Sequence, residues 1–130
     1  MTDNELVYGR STDDWDELVE AGTRFLEERA RLDRPTTYTE LNAVLQRRTS
    51  QRPFRFEDAS ERAAVGYLLG RIVERDYPTR GYMLSALVIY LNGNDPGSGF
   101  YALAMEMGLL AHDGDRLRFW TEQLNGLRKP

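Results

Sequence analysis

The stretch Leu84–Phe100 constrains the fold more than any other part of the chain. It reads LSALVIYLNGNDPGSGF, an apolar run that ends in the densest concentration of turn-forming residues in the sequence. A nearly continuous apolar run bounded by turn residues is typical of a strand covered on both faces. Asn-Gly and Pro-Gly pairs favour turns, and proline cannot donate to a ladder. The sequence therefore predicts a core strand over Tyr82–Leu91, a glycine-rich loop over Gly93–Gly99, and a helix over Phe100–Met107 that packs against the strand.

Helical periodicity dominates the rest of the chain. A stripe of apolar residues at three- and four-residue steps predicts a helix over residues 13–34, capped by Thr12 or Asp13. Thr37 and Glu40 have the spacing of a capping box at the start of a short helix that ends near Arg48. A longer helix is predicted over residues 58–76, with its buried side formed by Ala59, Ala63, Val65, Leu68, Leu69, Ile72 and Val73. Its small residues Ala63, Gly66 and Gly70 predict the close approach of another backbone.

The fold class that follows is α+β, mainly helical, with a winged-helix-like centre and flanking N- and C-terminal helices. A chain of 130 residues corresponds to one domain. We divide it into a loose leader (1–12), an N-terminal helix (13–34), a winged-helix-like core (35–111), and a turn followed by a C-terminal helix (112–130). A short strand on either side of the turn His112–Asp115 would form a small hairpin.

The chain contains no cysteine. Disulfides, thiolate catalysis and cysteine-ligated metals are therefore excluded, and a reducing, cytoplasmic location is expected. No apolar run approaches the length of a transmembrane helix, so no membrane association is expected. His112 is the only histidine, and the pair Asp113 and Asp115 lacks the pattern of a calcium loop. We expect no metal and no cofactor.

Three segments together resemble a known DNA-binding module. They are TTYTEL (36–41), RAAVGYLL (62–69), and the apolar run from Leu84 followed by a glycine-rich loop. This layout resembles the winged-helix module of O6-alkylguanine alkyltransferases and alkyltransferase-like proteins, and it is also similar to uncharacterised bacterial and phage modules. The resemblance implies that Arg62 faces a DNA duplex and that Tyr38 lies near a backbone phosphate. The family's nucleophilic cysteine would fall near Ser85, so alkyl transfer is excluded; Ser85 is interpreted as a buried serine.

The charge distribution favours the middle of the chain as a binding surface. The net charge is −4, yet residues 41–80 carry eight arginines against five acidic residues. Arginine side chains there could contact phosphates with a strong salt dependence. The candidate nucleic-acid-binding residues are Tyr38, Arg47, Arg48, Arg52, Arg55, Arg62, Arg71 and Arg75.

Two other functions compete with nucleic-acid binding. A protein–protein adaptor or phage- or host-encoded modulator could use the same scaffold, with the acidic helix 13–34 as a partner or homodimer surface through Trp15 and Phe25. An enzyme could use the Gly93–Gly99 loop as a pocket, with Asn94, Ser98 and Tyr101 as its polar groups. No acid, base and nucleophile converge in the sequence, so the expected function is a non-enzymatic nucleic-acid-binding or regulatory protein.

Overall fold

The computed structural model describes residues 5–91 and 95–128. Within these ranges the chain is mainly helical, with one small parallel sheet, in agreement with the predicted α+β class. The elements, in chain order, are α1 (Thr12–Leu32), β1 (Thr36–Thr37), α2 (Tyr38–Thr49), α3 (Ala59–Arg80), a 3-10 helix (Leu84–Leu87), β2 (Val88–Ile89), α4 (Ser98–Glu106) and α5 (Arg116–Arg128).

Helix α1 matches the predicted 13–34 helix closely. Its N-cap is Ser11, whose hydroxyl accepts a hydrogen bond from the Asp14 N–H at 3.1 Å, one or two residues earlier than predicted. It ends at Asp33, which adopts a left-handed conformation and donates its N–H to Ala30 and Arg29. The apolar stripe of α1 contacts α2, α3, α5 and the 3-10 helix, which places α1 at the centre of the packing.

Residues 5–11 are more firmly anchored than the predicted loose leader. Val7 and Arg10 exchange backbone hydrogen bonds across a turn, and the Trp15 indole N–H donates to the Val7 carbonyl at 2.8 Å. The turn carries positive φ at Tyr8 and Gly9. We call residues Leu6–Arg10 the N-terminal turn.

The predicted capping box of α2 forms only in part. The Glu40 N–H donates to the Thr37 hydroxyl at 3.1 Å, as expected. The Glu40 carboxylate does not reach back to the Thr37 N–H, because it accepts from the Thr36 hydroxyl and from Arg29.

The predicted strand over Tyr82–Leu91 is wrong in most of its length. Leu84–Leu87 forms a 3-10 helix, and only Val88 and Ile89 pair with β1, in parallel register with Thr36 and Thr37. The run remains the centre of the core, because every residue from Met83 to Val88 is buried. β1 offers two residues for pairing, so the rest of the run satisfies its backbone locally.

Helix α3 is longer than predicted, and its buried side differs from the prediction only near the N-terminus, since Val65, Leu68, Leu69, Ile72 and Val73 are buried as predicted. It continues past Pro78 to Arg80. Ala59 and Ala63 are exposed, contrary to the predicted buried side, whereas Glu61 and Ala64 are buried. No other described part of this chain makes the predicted close approach at Gly66 and Gly70: a Cβ added at either position would have no atom within 4 Å.

The close approach in the core is made by Gly22 of α1 instead. A Cβ at Gly22 would lie 2.8 Å from Cδ1 of Ile72, so this glycine lets α1 and α3 pack closely. At the C-terminus, α5 runs through Gly126 to Arg128, and the segment before it forms turns rather than the predicted hairpin. No helix among the described residues has the length and apolarity needed to cross a membrane.

Candidate functional site

Most of the predicted phosphate-binding arginines are bound to carboxylates of the same chain. Two pairs join α1 to its neighbours: Arg48 with Glu28 at 2.9 Å and Arg71 with Asp16 at 3.1 Å. Hydrogen bonding to Arg48 holds the pKa of Glu28 below its ordinary value. Two further pairs lie around the connector before α3, namely Arg52 with Glu61 and Arg55 with Glu57.

The remaining three arginines do not form one basic face. Arg62 donates to the Phe56 carbonyl at 2.7 Å. Arg47 and Arg75 have no ion-pair partner within residues 5–91 and 95–128. At about 100° per residue, Arg71 lies roughly 180° around α3 from Arg62. Arg71 and Arg75 therefore face the acidic side of α1, whereas Arg62 lies on the opposite side of the helix.

The hydroxyl of Tyr38 is also bound internally. It donates to the Pro96 carbonyl at 2.8 Å, and the ring lies against Tyr90 with 5.2 Å between centroids. Burial, together with the neighbouring Tyr90 and Asp95, raises the pKa of Tyr38 to about 12. Tyr38 thus ties the start of α2 to the loop before α4, a structural contact that the sequence did not predict.

A row of small residues follows the exposed side of α3, with Arg62 beside it. Ala59, Ala63, Gly66 and Gly70 follow one another at four-, three- and four-residue steps, which places them on one face of a helix. The first three are exposed and Gly70 is half-buried. Tyr67 lies one turn after Ala63. We call these five residues, together with Tyr8, the α3 outer surface.

Two tyrosines flank this row of small residues. The rings of Tyr8 and Tyr67 have centroids 5.8 Å apart, and Tyr67 packs edge-on against Trp15 at 4.7 Å. Tyr8 is exposed (41%), and so are the neighbouring residues Leu6 (61%) and Val7 (39%). The N-terminal turn thus places exposed apolar side chains beside α3.

A buried ion cluster fixes the N-terminal turn in this position. Arg10 and Glu61 are both buried and make two hydrogen bonds, at 3.0 and 3.3 Å. The Arg10 guanidinium lies 4.2 Å from the centre of the Phe54 ring. Glu61 also accepts from Arg52 and from the Arg55 N–H. Hydrogen bonding to Arg10 is the main cause that holds the pKa of Glu61 below its ordinary value.

The outer surface of α3 continues into a cleft between α3 and the start of α4. The cleft has a volume of about 120 Å³. Its lining is largely apolar, with one buried hydroxyl, and we call it the Ser85 cleft; the lining residues are Tyr38, Gly66, Leu69, Gly70, Ser85, Gly99, Phe100 and Leu103. Ser85 is 3% exposed, and its Oγ has no hydrogen-bond partner among the described residues.

Of the predicted Gly93–Gly99 loop pocket, only Gly99 lines this cleft among the described residues. Ser98 is the exposed first residue of α4, and Tyr101 is buried beneath Arg116, so neither lines the cleft. Burial is the main cause that raises the pKa of Tyr101. Asn94 lies outside the described residues. Gly97 caps α4 with φ of +94° and offers no side-chain bond to the first-turn amides.

Sequence reasoning missed the N-terminal turn and the buried Glu61, whereas Ser85 is buried as interpreted. Glu61 had the spacing of a first-turn carboxylate, which is equally typical of an exposed helix start. Among the described residues no cluster of three or more metal-ligating side chains occurs, and His112 is exposed. Searches of protein-family models, of curated proteins and of solved structures found no match to this chain.

Proposed function

We propose that this protein is a non-enzymatic binding protein that recognises a protein partner through the α3 outer surface. The observation that carries the proposal is the exposed row Ala59, Ala63, Gly66 and Gly70, flanked by the Tyr8 and Tyr67 rings. Small residues in a helix interior cost helix propensity, and the two glycines provide no close contact within the chain. An external backbone that approaches α3 closely explains why they are there.

The composition of this surface fits a protein interface. Tyrosine and arginine are enriched among the residues that dominate binding energy, and Tyr8, Tyr67 and Arg62 lie on or beside the row. A partner helix could lie along the small residues, with the tyrosines packed against its sides. Tyr8 is held ready for this contact by the Arg10–Glu61 cluster, so little conformational freedom is lost on binding.

Nucleic-acid binding by a winged-helix-like centre is the second candidate. Arg62, on the exposed side of α3, favours it. Helices α2 and α3 are consecutive, but the connector 50–58 is longer than the turn of a helix-turn-helix unit. We rank it second because the carboxylates paired with Arg48, Arg52, Arg55 and Arg71 lie where phosphates would have to bind. Each such contact would break an ion pair and leave an acidic group beside the phosphate.

A pair of substitutions on α3 separates the two candidates. Ala63→Arg places a long charged side chain in the middle of the α3 outer surface. We expect it to abolish capture of the protein partner by the tagged protein, because the side chain holds the two backbones apart. If nucleic acid is the ligand, the added charge strengthens binding to a labelled duplex instead, and Arg62→Gln weakens it with a smaller salt dependence.

The matched control is Ala111→Arg, which adds the same side chain to an exposed alanine between α4 and α5. Partner capture should survive this change. Equal capture by the Ala63→Arg and Ala111→Arg variants would rule out the α3 outer surface as the interface.

A further inference from the structure

We propose that the Ser85 cleft is a binding subsite for a small, neutral, mainly apolar group that carries one hydrogen-bonding oxygen. The proposal deepens the proposed function, because the cleft shares Gly66 and Gly70 with the α3 outer surface. Such a group could be the tip of a partner's side chain or a free small molecule. The chemistry of the cleft is the same for both.

The first argument concerns the two glycines. Gly66 and Gly70 are four residues apart within α3, where each lowers helix propensity relative to alanine. Neither has positive φ, and neither would clash on gaining a Cβ. Several other described glycines are required by their backbone or their neighbours, as Gly97 is by its φ of +94° and the adjacent Tyr90 ring; Gly99, which also lines the cleft, is not. Gly66 and Gly70 instead leave space in the cleft.

The second argument concerns the hydroxyl of Ser85. A buried hydroxyl without a partner pays its full desolvation cost, so such groups are rare in folded proteins. The Oγ of Ser85 has no partner within residues 5–91 and 95–128. Alanine would fit the same buried position without that cost. Ser85 lines the cleft, and an oxygen of an incoming group that reaches its Oγ would supply the missing hydrogen-bond partner.

The third argument concerns the size and polarity of the site. Apolar cavities of about 150 Å³ bind benzene, and the Ser85 cleft is of similar size at about 120 Å³ and opens to solvent. Leu69, Phe100 and Leu103 supply apolar contacts. The lining contains no acidic or basic side chain. A neutral ring or short aliphatic chain with one oxygen therefore fits better than a charged ligand.

Phenol is the probe that tests the subsite, with benzene as its counterpart without oxygen. Titration of the full chain, followed by amide NMR, should shift the Gly66, Gly70 and Gly99 resonances. We expect phenol to bind wild type about fivefold more tightly than benzene, which corresponds to one ordinary hydrogen bond. Ser85→Ala should bring phenol down to the affinity of benzene.

The Gly70→Leu variant fills the cleft with a residue that favours helix, and it should abolish binding of both probes. Ala102→Leu adds the same bulk to an exposed position of α4 outside the cleft and should leave binding unchanged. Shifts that are absent in wild type, or that persist in Gly70→Leu, overturn the subsite. A crystal soaked in phenol that holds only a water at Ser85 overturns it as well.

Partner capture then distinguishes the source of the group. Ser85 lies outside the α3 outer surface, so Ser85→Ala is the variant used here. If it weakens both phenol binding and partner capture, the natural group is a partner side chain; if it weakens only phenol binding, the group is a free small molecule. Failure of the proposed function has a separate signature, namely that Ala63→Arg leaves capture intact while phenol still binds the cleft.

Discussion

The glycines of this protein have opposite roles that only the folded structure separates. Gly22 of α1 is enclosed by the core, where an added Cβ would meet Ile72 at 2.8 Å. Gly66 and Gly70 of α3 border open space. All three lie in helices, and all three fit a sequence pattern typical of close packing. Periodicity identifies the face of a helix but not what lies against it.

A matched pair of glycine-to-alanine changes tests this distinction. Gly22→Ala should destabilise the protein by about 1–3 kcal/mol, because the core must shift to admit the methyl group. Gly70→Ala should stabilise it by about 0.5–1 kcal/mol through helix propensity. Urea unfolding of both variants measures the difference. Destabilisation by Gly70→Ala would contradict the open surroundings of this residue.

At the scale of the elements, Glu61 joins α3 to the N-terminal turn and to the connector that precedes α3. It holds the N-terminal turn through Arg10 and the connector before α3 through Arg52 and the Arg55 N–H. The sequence could not predict this cluster, because Arg10 and Glu61 are 51 residues apart and neither stands out in its local pattern.

The pH dependence of stability should carry the signature of Glu61. Because its pKa is lower in the folded protein than when unfolded, its contribution is present above the ordinary glutamate value of about 4.3 and is lost as the pH falls through the folded pKa. Glu61→Gln leaves Arg10 buried without a counter-charge and should cost about 3 kcal/mol at neutral pH. The difference from wild type should shrink below about pH 4.

Glu57→Gln is the control, since the Arg55–Glu57 pair is exposed and should contribute less than about 1 kcal/mol at any pH. If the difference in unfolding free energy between wild type and Glu61→Gln stays constant down to pH 3, the charge of Glu61 is not what stabilises the N-terminal turn.

The predicted elements are correct where local sequence signals determine the structure, and wrong where the structure depends on pairing with a distant strand. Helix α1 has its own cap, stripe and stop, and its predicted bounds are nearly those observed. The apolar run of Leu84–Ile89 fits a buried strand and a buried helical turn equally well. Only the two residues of β1 pair with it, so the 3-10 helix forms in the rest. The sequence does not reveal the length of that partner.

At the scale of the whole molecule, the charge asymmetry of the sequence has an internal explanation. The acidic first third and the basic middle third are brought together when α1 packs on α2 and α3, where Glu28 meets Arg48 and Asp16 meets Arg71. Charge counts along the chain identify the basic middle third but could not predict that acidic residues of α1 form ion pairs with its arginines. We therefore place the candidate binding surface at the α3 outer surface and not at these arginines.

The most direct test of the account is photo-crosslinking from the α3 outer surface in cells. Ala63 is replaced by p-benzoylphenylalanine in one variant and Ala111 in the other, and the adducts are digested with protease or nuclease. The account predicts a discrete adduct from position 63 that protease removes, and none from position 111. A nuclease-sensitive adduct at position 63, or the absence of any adduct specific to it, would contradict recognition of a protein partner by α3.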